Sequence, residues 1–317
     1  MKTNILVTGG AGFIGSCLVE RLLKNENYYV VIVDNLSTGD KRKLPSVENT
    51  NWKFIHCDVN DYKSLATVMQ TFHFDYVFHY AAMVGVQRTQ QHPLQVLHDI
   101  NGISNICCLS KLTGVKRVLF SSSSEVYGEP VEIPQSVDTT PLNSRVPYAV
   151  VKNVGEAYLR SYNQEYGLEY SIFRFFNTYG PRQSLDFVMS RFLIKAMKGE
   201  DIEVYGDGTQ TRTFCYIDDN VEACVNAFEK NLLINKVANI GGEKEIMIKD
   251  LAEMIIRKTG SKSKIVHTPP LKDGDMKRRC PENSFMRTQL LNRPLTTLDE
   301  GIDKMLAQGL FDMNRNE

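Results

Sequence analysis

The sequence predicts an α/β fold: a doubly wound parallel sheet followed by a smaller mixed α/β region. Three observations lead there. Short, β-branched apolar runs alternate with helix-period segments over the first two-thirds of the chain. The first of these runs opens directly into Gly9-Gly10-Ala11-Gly12-Phe13-Ile14-Gly15. After about residue 180 the alternation gives way to short strands and turns. Strands that alternate with helices and are apolar on both faces pair in parallel and are covered on both sides.

Ile5–Thr8 is the first apolar run, and the glycines that follow turn it into a helix over Ile14–Leu23. Tyr29–Asp34, rich in valine, reads as the second strand and Trp52–Cys57 as the third. A helix over Lys63–Thr71 leads to a fourth strand, Tyr76–His79. A helix over Asn101–Leu112 precedes the fifth strand, Arg117–Phe120. A serine run, a loop and a long helix over Tyr148–Tyr166 precede the sixth, Tyr170–Arg174. Farther on we expect strands at Ile202–Tyr205 and Thr213–Tyr216, with a turn at Asp207-Gly208 between them. Helices are expected over Asp219–Glu229 and Ile248–Lys258, and a loop over Pro269–Asp275. This divides the chain into a first domain of residues 1–180 and a second of residues 181–317, with segments free to cross back.

Composition narrows the function. The 317 residues carry 37 Lys and Arg against 37 Asp and Glu, so no net charge draws the chain to nucleic acid or to a membrane surface. No apolar run is long enough to span a bilayer, and the amino terminus enters a strand without a basic leader, so a soluble cytoplasmic protein is expected. Seven cysteines without a CxxC pair read as free thiols, and six histidines without metal-site spacing predict no metal.

Gly9, Gly12 and Gly15 sit between the first strand and the first helix. Gly9 permits the tight turn, Gly12 admits a pyrophosphate to the backbone, and Gly15 lets helix and strand pack closely. The helix start, with Phe13 and Ile14, offers N–H groups to an anion. Asp34 ends the second strand, where a carboxylate reaches the adenosine ribose and repels a 2′-phosphate, which favours NAD over NADP. Asp58, after the third strand, is a candidate for the adenine edge or for capping a helix. Tyr148 and Lys152 are four apart on one helix face. A lysine ammonium and a cationic nicotinamide favour the phenolate, so Tyr148 can take a proton from a hydroxyl as hydride leaves its carbon. Ser123, following the fifth strand, can hydrogen-bond the reacting hydroxyl or the phenol.

These motifs, with His79-Tyr80-Ala81-Ala82, Ser123–Gly128, Arg174–Arg182, Val204–Gly208 and Asn239–Gly242, cover nearly the whole chain. Together they resemble the extended short-chain dehydrogenase/reductases, specifically the nucleotide-sugar epimerase/dehydratase/decarboxylase family. The resemblance implies a Rossmann domain with tightly held NAD and a C-terminal domain for a nucleoside diphosphate sugar. It adds Asn35, Val59, Ala81 and Ala82 to the cofactor site, and Lys152 as a hold on the nicotinamide ribose. It assigns Asn177, Arg191, Tyr205, Arg212 and Arg278 to the substrate, arginine suiting the diphosphate through its planar fork. It also implies a homodimer through a four-helix bundle supplied by Asn101–Leu112 and Tyr148–Tyr166.

Members of that family begin alike, removing the proton and hydride of a sugar 4-hydroxyl to give a 4-keto sugar. Glu125 points beyond a simple 4-epimerase, because decarboxylases and dehydratases carry glutamate there. Related 4,6-dehydratases place an aspartate just before it, where this chain has Ser124. Arg279 matches the arginine that decarboxylases set near the sugar acid. The expectation is therefore a UDP-hexuronate decarboxylase, with a UDP-sugar 4-epimerase as the alternative. A 4,6-dehydratase ranks lower, and so does an NAD-binding regulator without catalysis. The loop Met83–Thr89 lacks the proline-rich pattern of UDP-xylose-forming enzymes, and Glu125 can also serve only to orient a neighbouring loop.

Overall fold

The computed structural model describes residues 2–270 and 276–310, so most of the loop expected over Pro269–Asp275 lies outside the described residues. Strands β1 (Thr3–Thr8), β2 (Tyr28–Asp34), β3 (Trp52–His56), β4 (Tyr76–His79), β5 (Arg117–Ser123) and β6 (Glu169–Phe175) lie parallel in one sheet. A seventh strand, Lys236–Ile240, pairs in parallel with β6, giving the order Lys236–Ile240, β6, β5, β4, β1, β2, β3. The order reverses between β1 and β4, the switch point at which open α/β sheets take their ligands.

Alternation along the strands builds two cores. Ile5, Val7, Val30, Ile32 and Phe78 pack on one face, and Leu6, Val31, Val33 and Val77 on the other. Helices α1 (Phe13–Leu22), α2 (Tyr62–Phe72), α3 (Val86–Gln91), α4 (Pro93–Thr113) and α5 (Pro147–Tyr166) connect these strands. Proline opens both α4 and α5, and a left-handed glycine ends each, Gly114 and Gly167.

Several sequence expectations are corrected. The fifth strand does not end at Phe120: Ser121–Ser123 continue it, because β6 pairs with it out to Ser123 while its pairing with β4 stops at Phe120. The loop after it is a short 3-10 turn, Ser124–Tyr127. The helix expected from Asn101 starts eight residues earlier, at Pro93. The expected loop Met83–Thr89 runs into α3, and a helix not expected from the sequence, α6, spans Val188–Lys198. The strand expected over Thr213–Tyr216 is shortened to Cys215–Tyr216, paired with Thr178–Tyr179, and a separate strand before it, Thr211–Arg212, pairs antiparallel with Ile246–Met247.

The remaining elements include the pair Ile202–Tyr205 and Ile265–Thr268, and helices α7 (Ile217–Glu229), α8 (Ile248–Thr259) and α9 (Leu298–Gln308). A capping box of Thr297 and Glu300 starts α9. Among the described residues no helix is long and apolar enough to cross a membrane.

Candidate active site

The carboxyl ends of β1 to β6 open into a cleft of about 1030 Å³, at the upper end of the range for small-molecule sites. Its floor begins at the glycine turn. Gly9 has φ +71°, and a Cβ there would meet the backbone of Ala81 at 2.7 Å. A Cβ on Gly15 would strike the carbonyl of Gly9. Only glycine fits either place, and the result is close packing of α1 on the end of β1. Gly12 caps α1 without a side-chain acceptor, so the helix start faces the cleft with its own N–H groups, beside Phe13 and Ile14.

Thr8 organises the neighbouring wall. Its hydroxyl hydrogen-bonds His79 Nδ1 at 2.8 Å and accepts from the N–H groups of Tyr80 and Ala81. Ala81 and Ala82 thereby line the cleft. His79 is sealed beneath them, stacked on Phe120, and burial holds its imidazole down at about 3.

Asp34 is oriented by two backbone donors, Ala11 N at 3.0 Å and Leu36 N at 2.8 Å. Burial raises its carboxyl, against the pull of those two bonds and of His56 and Lys43. Each oxygen keeps acceptor capacity for a ribose hydroxyl. Asn35 donates to Asp58 at 3.0 Å, and both line the same end of the cleft with Val59. A glycine turn, a bare helix start and a strand-end carboxylate, in sequence along one cleft, fit a dinucleotide.

At the other end stand Tyr148, Lys152, Ser123, Glu125 and Arg279. Lys152 is 3% exposed. Its ammonium donates to Ser121 O at 2.7 Å and lies 5.0 Å from the centre of the Phe120 ring and 5.7 Å from that of Tyr148. Burial pushes it down to about 8, with Asp99 acting in the opposite sense. Burial raises the Tyr148 phenol well above its ordinary value, and Glu125 and Asp99 add to this while Ser123 and Arg279 pull it down. Glu125 and Arg279 approach to 3.5 Å, and Ser123 accepts from Glu125 N, which starts the turn that carries Glu125 into the cleft.

Asn177 also lines the cleft, through a residue with φ +34° whose amide donates to Thr213 O. The other four candidates for substrate do not line it. Arg191 stacks on Tyr205, 5.3 Å from the ring centre. Buried Arg212 donates to Met276 O at 2.7 Å. Arg278 pairs with Glu245 at 2.6 Å, which also accepts from Thr211. Arg212 and Arg278 meet where Thr211 N donates to Lys277 O, on the segment leading to Arg279.

Sequence reasoning missed three groups in the cleft: Asp99 on α4, and the pair Arg88–Asp186, joined at 2.9 Å. No motif marks them. The one available signal for Asp99 was Gly102 within the α4 helix, where a Cβ would meet Val59 at 2.8 Å and so betrays contact with the third strand's end.

Comparison with known proteins bears on this cleft. The family model described as NAD dependent epimerase/dehydratase family matches residues 5–241. UDP-N-acetyl-alpha-D-glucosaminuronate decarboxylase of Bacillus cytotoxicus is 35% identical over 320 residues, covering 96% of this chain and 97% of that one. The structure of UDP-glucose 4-epimerase from Thermotoga maritima, solved with UDP-glucose, superposes with a TM-score of 0.90 at 33% identity, covering 96% and 98% of the two chains. A variant of UDP-glucuronic acid 4-epimerase from Bacillus cereus, solved with NAD and a fluorinated UDP-glucuronic acid, superposes at 0.88 with 30% identity, covering 97% and 100%.

Proposed function

The chain belongs to the NAD dependent epimerase/dehydratase family, and on that footing we propose that it decarboxylates a UDP-hexuronate. The observation that carries this reading is the meeting of Glu125 and Arg279 inside the cleft, beside Tyr148. A 4-epimerase acting on a neutral sugar needs neither group. An enzyme that holds a sugar acid and then handles a proton at C5 needs both.

NAD, when bound, would supply the acceptor for the C4 hydride. Gly9, Gly12, Phe13, Ile14 and Gly15 would hold its pyrophosphate, and Asp34, Asn35, Asp58 and Val59 its adenosine end. Ala81, Ala82 and Lys152 would hold the nicotinamide end. Tyr148 takes the 4-hydroxyl proton. Its phenol is raised by burial and by Glu125, so Lys152, Ser123 and Arg279 must favour the phenolate. Arg279 exchanges Glu125 for the substrate carboxylate. The C5–C6 bond then breaks, carbon dioxide leaves, and the electron pair stays on C5, conjugated with the 4-keto group. Glu125, released from Arg279, takes up a proton from water and delivers it to C5. Asn177 lines the cleft and would meet the diphosphate; Arg191, Tyr205, Arg212 and Arg278 lie beyond that lining, and of these Arg278 could reach the nucleotide by leaving Glu245.

The same reading includes a homodimer. Leu94, Leu97 and Leu112 on α4 and Val150 and Tyr166 on the adjoining α5 are exposed apolar side chains on one helix pair. A second copy of that pair would cover them as a four-helix bundle. Seven free thiols accord with a reducing, cytoplasmic setting.

A UDP-sugar 4-epimerase is the second reading, favoured by the fit to the Thermotoga maritima enzyme. Incubation with UDP-glucuronate, its N-acetyl analogue and UDP-glucose, followed by mass spectrometry, separates the two. A product lighter by one carbon dioxide supports decarboxylation. An isomer of unchanged mass overturns it in favour of epimerisation. Glu125→Ser should abolish carbon dioxide loss and leave a 4-epimerase active.

A further inference from the structure

Two edges of the cleft are joined by a short segment, residues 181–187, that neither the sugar chemistry nor the dinucleotide has claimed. Near its start Arg182 donates to Ser16 Oγ at 3.3 Å and to Lys43 O at 3.4 Å, and its guanidinium pairs with Glu20. Ser16 and Glu20 belong to α1. Gly180, just before the segment, is pressed against the same helix, since a Cβ there would come within 3.3 Å of the Phe13 ring. Near its end Asp186 accepts from Arg88, on α3, at 2.9 Å and from Ser184 at 2.9 Å. Arg88 is steadied in turn by Val84 O at 3.1 Å. A Cβ on Gly85 would come within 3.3 Å of the Asp186 carboxylate, so the loop after β4 lies directly against it.

These ties place the segment. Helix α1 follows β1 and α3 follows β4, the two neighbours between which the strand order reverses. A segment bonded to both helices therefore crosses the mouth of the switch point, where the dinucleotide belongs. Leu185 stands between the two ties and lines the cleft while staying partly open to solvent. The segment is carried from its own side by Gln183, which donates to Thr178 O at 2.7 Å and accepts from Ser190, on α6, at 3.1 Å. Both arginine–carboxylate pairs are part-exposed. Pairs of that kind hold weakly and are screened by salt, which suits a fastening that has to open.

We propose that residues 181–187 form a strap over the dinucleotide, latched by Arg182–Glu20 and Arg88–Asp186, and that NAD enters and leaves after both pairs part. None of these four side chains takes part in the proton or hydride steps. The inference rests on NAD in this cleft and not on which sugar is processed. A failed decarboxylation assay therefore leaves it standing.

The test reads the passage of NAD rather than turnover. Radiolabelled NAD bound to the purified protein is chased with excess unlabelled NAD, which gives the release rate, and equilibrium dialysis gives the dissociation constant. Glu20→Ala and Asp186→Ala should each quicken release about two- to fivefold, and the double variant by about the product of the two. The dissociation constant should stay within about twofold, because a gate obstructs passage equally in both directions. Added potassium chloride should quicken release more in the unaltered protein than in the double variant. Release unchanged in the double variant overturns the proposal. So does release that quickens only in step with a weaker dissociation constant, which is what loss of a contact to NAD itself would give. Should Asp186→Ala fail to fold, Arg88→Gln must show the same quickening, and unchanged release there overturns it equally.

Discussion

Arg174 lays its guanidinium against both carboxylate oxygens of Glu156, Nε to Oε1 at 2.9 Å and a terminal nitrogen to Oε2 at 2.7 Å. Both side chains are wholly inside the protein, at 2% and 0% exposure. Ser122 donates to Glu156 at 2.7 Å, and Arg174 reaches Tyr127, which donates to Asn239. One network thus fastens α5 to β5, to β6 and to the strand Lys236–Ile240. Tyr148 and Lys152 lie on the same helix, so their positions depend on it.

Removing one partner strands the other charge. Glu156→Ala should cost about 3–5 kcal/mol, far more than an exposed pair would. Urea unfolding at neutral pH measures this. A loss below about 1 kcal/mol would mean that water reaches Arg174 in solution.

Lys152→Met should trade function for stability. The ammonium is held near 8 inside the fold against an ordinary 10.5 outside it. A depressed value means that stability is lost as pH falls through 8 and is whole only above 10.5. At pH 7 the charged lysine therefore burdens the fold by about 3 kcal/mol, less about 1 for the bond to Ser121. The variant should be inactive yet unfold at higher temperature at pH 7, with the gain gone above about pH 10.5. Calorimetry across that range decides; equal melting at pH 7 would contradict the burial argument.

His79 sets an acid limit. Its folded value is about 3, against 6.5 in the unfolded chain. The unfolded chain takes up a proton that the native state refuses between those values. Stability attributable to this residue is thus complete above pH 6.5 and drains away as pH falls towards 3, by about 1.4 kcal/mol per unit at full slope. His79→Asn will be weaker overall through loss of the Thr8 contact, but its decline with acid should be shallower by about one proton. Parallel slopes for the two proteins would refute this.

Asp34→Asn removes the strand-end charge and leaves one side-chain oxygen, so one of Ala11 N and Leu36 N keeps its acceptor and the other loses it. Affinity for NAD should fall roughly tenfold or more, and the preference over the 2′-phosphorylated form should narrow, since the repulsion is gone. Titration calorimetry with both dinucleotides reads each effect. A preserved ratio would place the discrimination elsewhere.

How far the fold was legible follows from particular residues. β2 and β4 announced themselves through valine and aromatic runs bounded by polar turns, and the glycine turn was unambiguous. Ser121–Ser123 did not read as strand, since serine has little preference for one and it is pairing with β6, beyond the end of β4, that keeps it extended. Lys236–Ile240 begins with lysine and includes alanine and asparagine, so its place beside β6 is a tertiary choice. In α6, Met189, Phe192, Leu193 and Ala196 form a buried stripe at helical spacing that was present but overlooked. Within the cleft, motif residues were found and unaccompanied ones were not. Asp99, Arg88 and Asp186 gain their meaning from neighbours far away in the chain.

The strand Lys236–Ile240 has a practical consequence for anyone recombining this protein with its relatives. It closes the large sheet from a point more than fifty residues past the last of its partners, and Asn239 within it accepts from Tyr127. A chimera joined near residue 180 inherits that seam from the donor, so the transplant must match the recipient's β6 and Tyr127 or leave a raw margin prone to self-association. Exchanging specificity between enzymes of this kind is better done by grafting loops than by trading halves.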